Sequence, residues 1–352
     1  MKRLLSFAAT LAIGLSTITG AFAEPKKEFN IAWTIYVGWM PWPYAAETGI
    51  VKKWADKYGI TINVTQINDY VESINQYTAG KFDGVTVTNM DALTIPAAGG
   101  VDTTAIIMGD YSNGNDGVVL KKGKTLADIK GQKINLVELS VSHYLLARGL
   151  STVKLQEKDI KTVNTSDADI VAAAKSADTT AVVTWNPQLL EVKAEPNATL
   201  VFDSSKIPGE IEDLLVIKTE TLKDNPNLAK ALVGIWYETI TLMKDQSDKG
   251  KAAREAMAKL SGTDLAGFET QLKTTYMYYT PKDGAAFMTG PELPKIMDQV
   301  RGFCFEHNLL GEKVKSKDAV GIMTPTKTLG SDKNIKLRFD ASYMKLAAEG
   351  KL

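Results

Sequence analysis

Short apolar runs with a period of two alternate with stretches of helical spacing along the first two thirds of the chain. Phe29-Asn30-Ile31-Ala32-Trp33 reads as a strand, Ile60-Thr61-Ile62-Asn63-Val64 alternates as a second, and Gly84 to Thr88 and Thr103 to Met108 form a third and fourth. Tyr70 to Ala79 between them is a predicted helix, with Asn68 or Asp69 as cap and Gly80 as terminator. Strand, helix, strand, helix, strand is a parallel α/β unit, and such units bind ligands at the carboxyl ends of their strands.

Tyr111 to Gly117 is crowded with turn formers and reads as a crossing to a second unit. That unit has predicted strands at Lys133 to Val137, Lys161 to Asn164 and Ala181 to Thr184, with helices at Ser142 to Leu150 and Asp167 to Ser176. Asp203 to Gly209 reads as the return crossing and Asp213 to Ile217 as a strand re-entering the first unit. From Asn225-Pro226 onward the spacing is helical, with helices expected at Lys251 to Leu260, Asp264 to Lys273 and Pro291 to Asn308. The tail after Gly321 has few apolar clusters and is expected to wrap the surface. The expected architecture is α/β, two lobes with a hinged cleft and a helical C-terminal part. The divisions are 1–23 leader, 24–112 first part of lobe 1, 113–212 lobe 2, and 213–352 the rest of lobe 1 with the C-terminal helices.

The first residues carry a leader pattern: Lys2 and Arg3, an apolar stretch from Leu4 to Leu15, and Ala21-Phe22-Ala23 as a cleavage site. Cleavage near Ala23 would deliver the chain to the periplasm. It would also change 41 basic against 41 acidic residues into 39 against 41, since Lys2 and Arg3 leave, a balance of −2. Nothing in that balance points to nucleic acid. Cys304 is the single cysteine, so no internal disulfide forms, and it reads as a small core residue. With only His143 and His307, a multi-histidine metal site is excluded, and no nucleophile-base motif stands out; neither metal nor cofactor is expected.

Candidate ligand-binding residues are those expected at strand ends and hinge. Trp33, Tyr36 and Trp39 follow the first strand, and Trp185 follows a buried strand of the second unit. Asp69, Asn89, Asp91, Glu138 and Ser140 lie at strand-to-helix junctions, where helix capping is the ordinary alternative role. Glu212 and Asp213 lie at the returning hinge, one of them expected to face the cleft. Aromatic faces with carboxylates suit a small planar cation through stacking and forked, charge-assisted hydrogen bonds. A dry pocket with two carboxylates and no cation costs several kcal/mol, so guanidinium fits better than neutral urea.

An ordered set of segments resembles the periplasmic solute-binding proteins of the nitrate/sulfonate/taurine class of ABC importers. The segments are Pro43 with Ala46-Glu47-Thr48-Gly49, Thr78 to Asp83, Leu126 to Lys133, Ser142-His143 with Leu145-Leu146, and Trp185-Asn186-Pro187. The aromatic start and Glu138 to His143 resemble the branch associated with urea carboxylase, which implies urea or guanidine as cargo. The resemblance implies a type II periplasmic binding fold, a monomer that closes on one small molecule and delivers it to a membrane permease, and no catalysis. The chain departs from sulfonate and nitrate binders in placing Glu138 where they usually have a Gly-Ser pair. It has only five arginines, none at a predicted strand-end loop. The alternatives are urea or another small amide or amine, a sulfonate or nitrate, and, from a different class, an enzyme like the thiamin-pyrimidine synthases, which resemble this family in fold.

Overall fold

The computed structural model describes residues 26–352, so the leader reading at 1–23 falls outside the described residues. Lobe 1 begins with β1 (Glu28–Trp33), β2 (Thr61–Gln66), β3 (Gly84–Thr88) and β4 (Thr103–Ser112). The chain then crosses to lobe 2, built on β5 (Asp116–Leu120), β6 (Lys133–Leu136), β7 (Lys161–Asn164), β8 (Ala181–Trp185) and β9 (Thr199–Asp203). It returns through β10 (Glu212–Lys218), and β11 (Thr275–Met277), β12 (Gly321–Met323), β13 (Thr328–Leu329) and β14 (Ile335–Phe339) follow. Among the described residues these strands make two sheets. One has the order β13-β12-β14-β4-β10-β3-β1-β2 with β11 added beside β4; the other has β7-β6-β8-β5-β9. This is the two-lobed α/β arrangement of type II periplasmic binding proteins.

The central strands β3, β5 and β8 are buried along their whole length, as expected where helices cover both faces of a sheet. β10 lies antiparallel between β3 and β4, which sets Asp213 opposite both Thr88 and Asp110. Helices begin on capped strand ends: Asp69 accepts from Glu72 N–H at the helix Tyr70–Thr78, and Ser140 accepts from Ser142 N–H at the helix Val141–Thr152.

Two expectations about the chain's course are corrected. The tail after Gly321 does not wrap the surface but adds β12, β13 and β14 to the lobe 1 sheet. Ile335, Leu337 and Phe339 alternate with Lys336 and Arg338, a period-two signal too short to stand out among the charges around it. The fourth strand does not stop at Met108 but runs on to Ser112, carrying Asp110 into the interior.

The lobes are closed on one another. Tyr70 N–H donates to Asp167 of lobe 2 at 3.3 Å, and Asn186 Nδ2 donates to Thr274 Oγ1 at 3.2 Å. On the outer side, Glu157 of lobe 2 takes His307 Nε2 at 2.7 Å, and Glu210 in the return crossing receives Arg148, Tyr144 and Gln299.

Candidate functional site

Between the sheets, side chains from both lobes enclose a small cavity. One wall is aromatic and continuous. Tyr36 and Trp39 meet edge to face at 5.0 Å, Trp39 lies 5.8 Å from Tyr70, and Tyr70 meets Trp185 across the lobe boundary at 5.7 Å. Thr34, Ile35 and Thr88 complete the lobe 1 side, and Ile211 in the return crossing closes one end. Lobe 2 contributes Asn115, Asp116, Val141 and Trp185. Asp213 of β10 is the lobe 1 carboxyl on the lining, and among the described residues no Lys, Arg or His lines the space. The cavity leaves about 20 Å³ for the centre of a water-sized sphere, room for a solute of a few heavy atoms.

The electrostatics follow from burial without basic partners. Asp213 and Asp110 are opposite residues on adjacent strands, so two buried carboxyls are brought side by side with no basic group between them. Burial raises the pKa of both, and the charge of Asp110 raises that of Asp213 further. Tyr36 Oη donates to Asp110 Oδ1 at 2.6 Å, while Asp110 Oδ2 has no partner of its own. A Cβ at Gly38 would strike Asp110 Oδ2 and the Tyr36 ring, so this close approach depends on glycine. Across the cavity, Asp116 accepts from Ser112 Oγ, and burial lifts its pKa to about 6. Both amide atoms of the fully buried Asn115 lack a partner within hydrogen-bonding geometry.

The sequence-predicted residues divide between the lining and its surroundings. Tyr36, Trp39, Trp185 and Asp213 line the cavity. Trp33 is buried on β1 in the lobe 1 core and lies off the lining. Asp69 and Ser140 are spent as helix caps. Asn89 fastens the return crossing, donating to the Glu210 carbonyl and accepting from Glu212 N–H. Glu212, one residue along β10 from Asp213, is buried off the lining; it sits 3.4 Å from Tyr278 Oη and has its pKa raised by burial and by Asp110. Glu138 lies half-buried outside the cavity, on a turn that Leu139 makes with φ +65°.

Asp91 sits one layer behind the lining. Its Oδ2 accepts from Tyr70 Oη at 2.8 Å and Thr88 Oγ1 at 2.9 Å, so it anchors two lining side chains. Burial lifts its pKa to about 6 against these donors and the Val141 N–H at the start of the lobe 2 helix. Tyr70, Asp110, Asn115 and Asp116 belong to the site without having been singled out. A charged residue in an otherwise apolar strand (Asp110) and an aromatic opening a helix (Tyr70) were the available signals.

Among the described residues no group of three or more His, Cys, Asp or Glu side chains is arranged to hold a metal ion, and no helix is long and apolar enough to cross a membrane. The fold is shared with solved binding proteins. The alkanesulfonate-binding protein SsuA of Xanthomonas axonopodis pv. citri, bound to MOPS, superposes with a TM-score of 0.67 at 16% identity, over 83% of this chain and 97% of that one. The nitrate-binding protein NrtA of Synechocystis PCC 6803 does so with a TM-score of 0.58 at 14% identity, over 79% and 86%. A binding protein of Brucella abortus (strain 2308) is 24% identical over 278 residues, 78% of this chain and 83% of its own length. The family model described as NMT1/THI5 like matches residues 44–248, more than half of the chain, and the protein belongs to that family.

Proposed function

We propose that this protein is the periplasmic solute-binding component of an ABC importer and that its cargo is guanidinium. The observation that carries the reading is the cavity: four aromatic rings, Asp213 and Asp116 in its wall, and no basic side chain. Guanidinium is planar, has six N–H donors and no acceptor. A wall of aromatic faces and carboxylate oxygens supplies what it needs and nothing it cannot use. The carboxylates gain equally, since a buried carboxylate without a positive partner is costly. Size favours the same class. The closed space is too small for an alkanesulfonate of the bulk of MOPS, and its lining of carboxyls without a basic side chain offers sulfonate and nitrate no positive partner.

Closure then follows from binding. Tyr36, Trp39, Tyr70 and Asp213 come from lobe 1, Asn115, Asp116 and Trp185 from lobe 2, so a cation between them is held only when the lobes meet. A permease in the membrane would receive the closed form and take the solute onward. Urea is the second reading, favoured by Asn115, whose unpartnered Nδ2 could donate to a carbonyl oxygen.

Calorimetric titration of the chain from Glu24 onward with guanidinium, urea, taurine and nitrate at constant ionic strength tests the assignment. Tight one-to-one binding of guanidinium supports it. Binding of urea without guanidinium moves the assignment to the neutral amide, and binding of taurine or nitrate overturns the charge reasoning. Recovery of unaltered guanidinium from the complex separates capture from turnover.

A further inference from the structure

The deepest part of the site holds two carboxyl groups where one positive ligand calls for fewer charges than they could carry. Asp110 and Asp213 are directly opposite residues on β4 and β10, a position where like charges repel. Both are buried, Asp110 completely. The groups acting on the pair from neighbouring elements are all acidic or neutral: Tyr36 from the loop after β1, Thr275 on β11, Tyr278 and Tyr279 just beyond it, Glu212 on β10 and Asp116 on β5. Asp91 adds its charge to Asp116 from behind. Trp236 of the helix Pro226–Lys244 seals the Gly109 side. Among the described residues none of the groups acting on the pair is basic, and the two carboxyls stand cross-strand in a buried place.

We propose that the Asp110–Asp213 pair holds one proton in the ligand-free protein and releases it to solvent when guanidinium enters, so that capture is an exchange of cation for proton. This rests on guanidinium being the cargo. In the step, the O–H bond of the protonated carboxyl breaks, its proton passes to a buffer base, and an N–H of the ligand donates to Asp213. Charge balances. With Asp116 ionised and one proton on the pair, the site carries two negative charges. With guanidinium bound and the proton gone, three carboxylates and one cation sum to the same value. The buried site therefore never changes its net charge, which avoids the desolvation cost of a bare dianionic pair. Affinity then depends on pH through the carboxyl pair rather than through the ligand, which stays charged throughout.

The test is calorimetry with guanidinium at about pH 7.5 in phosphate, imidazole and Tris, buffers that differ in heat of ionisation. The slope of observed enthalpy against buffer enthalpy counts protons released; we expect about 0.5 to 1 per guanidinium. In Asp110→Asn the amide keeps an oxygen for Tyr36 and offers Nδ2 to an ionised Asp213, so the slope should fall close to zero. Should that variant fail to fold, the wild-type pH profile carries the test: affinity should rise by about tenfold per pH unit while the pair stays protonated. Tight guanidinium binding with no buffer dependence and a flat profile overturns the exchange and leaves the assignment of cargo standing. Absence of guanidinium binding in every buffer overturns both.

Discussion

Replacing Asp116 by Asn separates what this carboxylate does for the ligand from what it costs the fold. Asp116 is 4% exposed, and burial lifts its pKa from 3.8 to about 6. The unfolded chain loses this proton near 3.8 and the folded one near 6, so between those values the folded state binds more protons. Stability is therefore lost as pH rises through that window and stays lower above it. Two pKa units at about 1.4 kcal/mol each make a cost of about 3 kcal/mol at pH 8. Asn cannot ionise, and its Oδ1 can still accept from Ser112. The ligand-free variant should thus be more stable than the wild type by about 1–3 kcal/mol at pH 8, a rise in Tm of roughly 2–10 °C, and about equal at pH 4. Guanidinium affinity should move the other way, falling by about 2–3 kcal/mol, or about 30- to 150-fold, with the loss of a buried charged partner. Thermal unfolding followed by circular dichroism is the assay, because urea and guanidinium chloride are themselves candidate ligands. Equal stability changes at pH 4 and pH 8, or wild-type affinity in the variant, would refute the reasoning.

Three further outcomes are expected. Trp185→Ala removes the lobe 2 ring from the aromatic wall and should weaken guanidinium by at least about tenfold, read by titration, through lost cation–π contact and an opened cavity. Glu157→Gln releases His307 from the outer contact between lobes and should shift the ligand-free ensemble toward open forms, measured by small-angle scattering. Glu157 has its pKa lowered to about 2 against desolvation by hydrogen bonds from His143 and His307, so its contribution is present above about 4.5 and lost as pH falls toward 2. His307 has its pKa raised, chiefly by Glu157, so its contribution is full below 6.5 and lost as pH rises through the raised value; the scattering difference should be largest between about pH 4.5 and 6.5. Asp91→Asn keeps an oxygen for Tyr70 and Thr88 but turns an amide toward Val141 N–H. Guanidinium affinity should fall by about fivefold, roughly 1 kcal/mol, while the ligand-free protein gains thermal stability at pH 8 but not at pH 4, because burial lifts the Asp91 pKa to about 6 as it does that of Asp116; unchanged affinity would show that Asp91 serves lobe 1 alone.

The strand ends were legible because their neighbours are so regular. Val182 and Val183 lead directly to Trp185, and Leu214 to Ile217 point back to Asp213, so alternation and burial alone bring these side chains to the cleft. Asn115 and Asp116 were hidden by composition. Ser112-Asn113-Gly114-Asn115-Asp116-Gly117 reads as a turn, and only the pairing of β5 with β8 shows that Asp116 opens a buried strand opposite Trp185. Asp110 was hidden by Gly109, which looks like a strand stop but exists to admit Trp236. Glu138 attracted notice as a charge where a small residue is usual. The left-handed Leu139 after it turns the chain before the helix begins, and the side chain stays outside the cavity. Local spacing identifies caps and strand ends; which carboxyl reaches the ligand depends on how two lobes meet, and that is a long-range property.

The contrast with the sulfonate- and nitrate-binding proteins of the same fold rests on a few side chains. A helix N-terminus at a strand end favours negative charge, because its first N–H groups have no partner within the helix. Here the helix Val141–Thr152 presents that end to the cleft, but Ser140 Oγ accepts from Ser142 N–H, and the Val141 N–H acts to lower the pKa of Asp91 from the opposite lobe. The positive end of the helix is thus met by a carboxylate belonging to the protein itself. What remains around the cavity are the carboxyls of Asp213 and Asp116 and the rings beside them. In the proposed reading, the contact between residues 91 and 141 takes up the place an anion would use, and the same closed arrangement forms the place for a cation. The lobes and hinge are common to the fold, so under the proposed function the sign of the cargo rests on the few side chains at the strand ends, Asp213 and Asp116 above all.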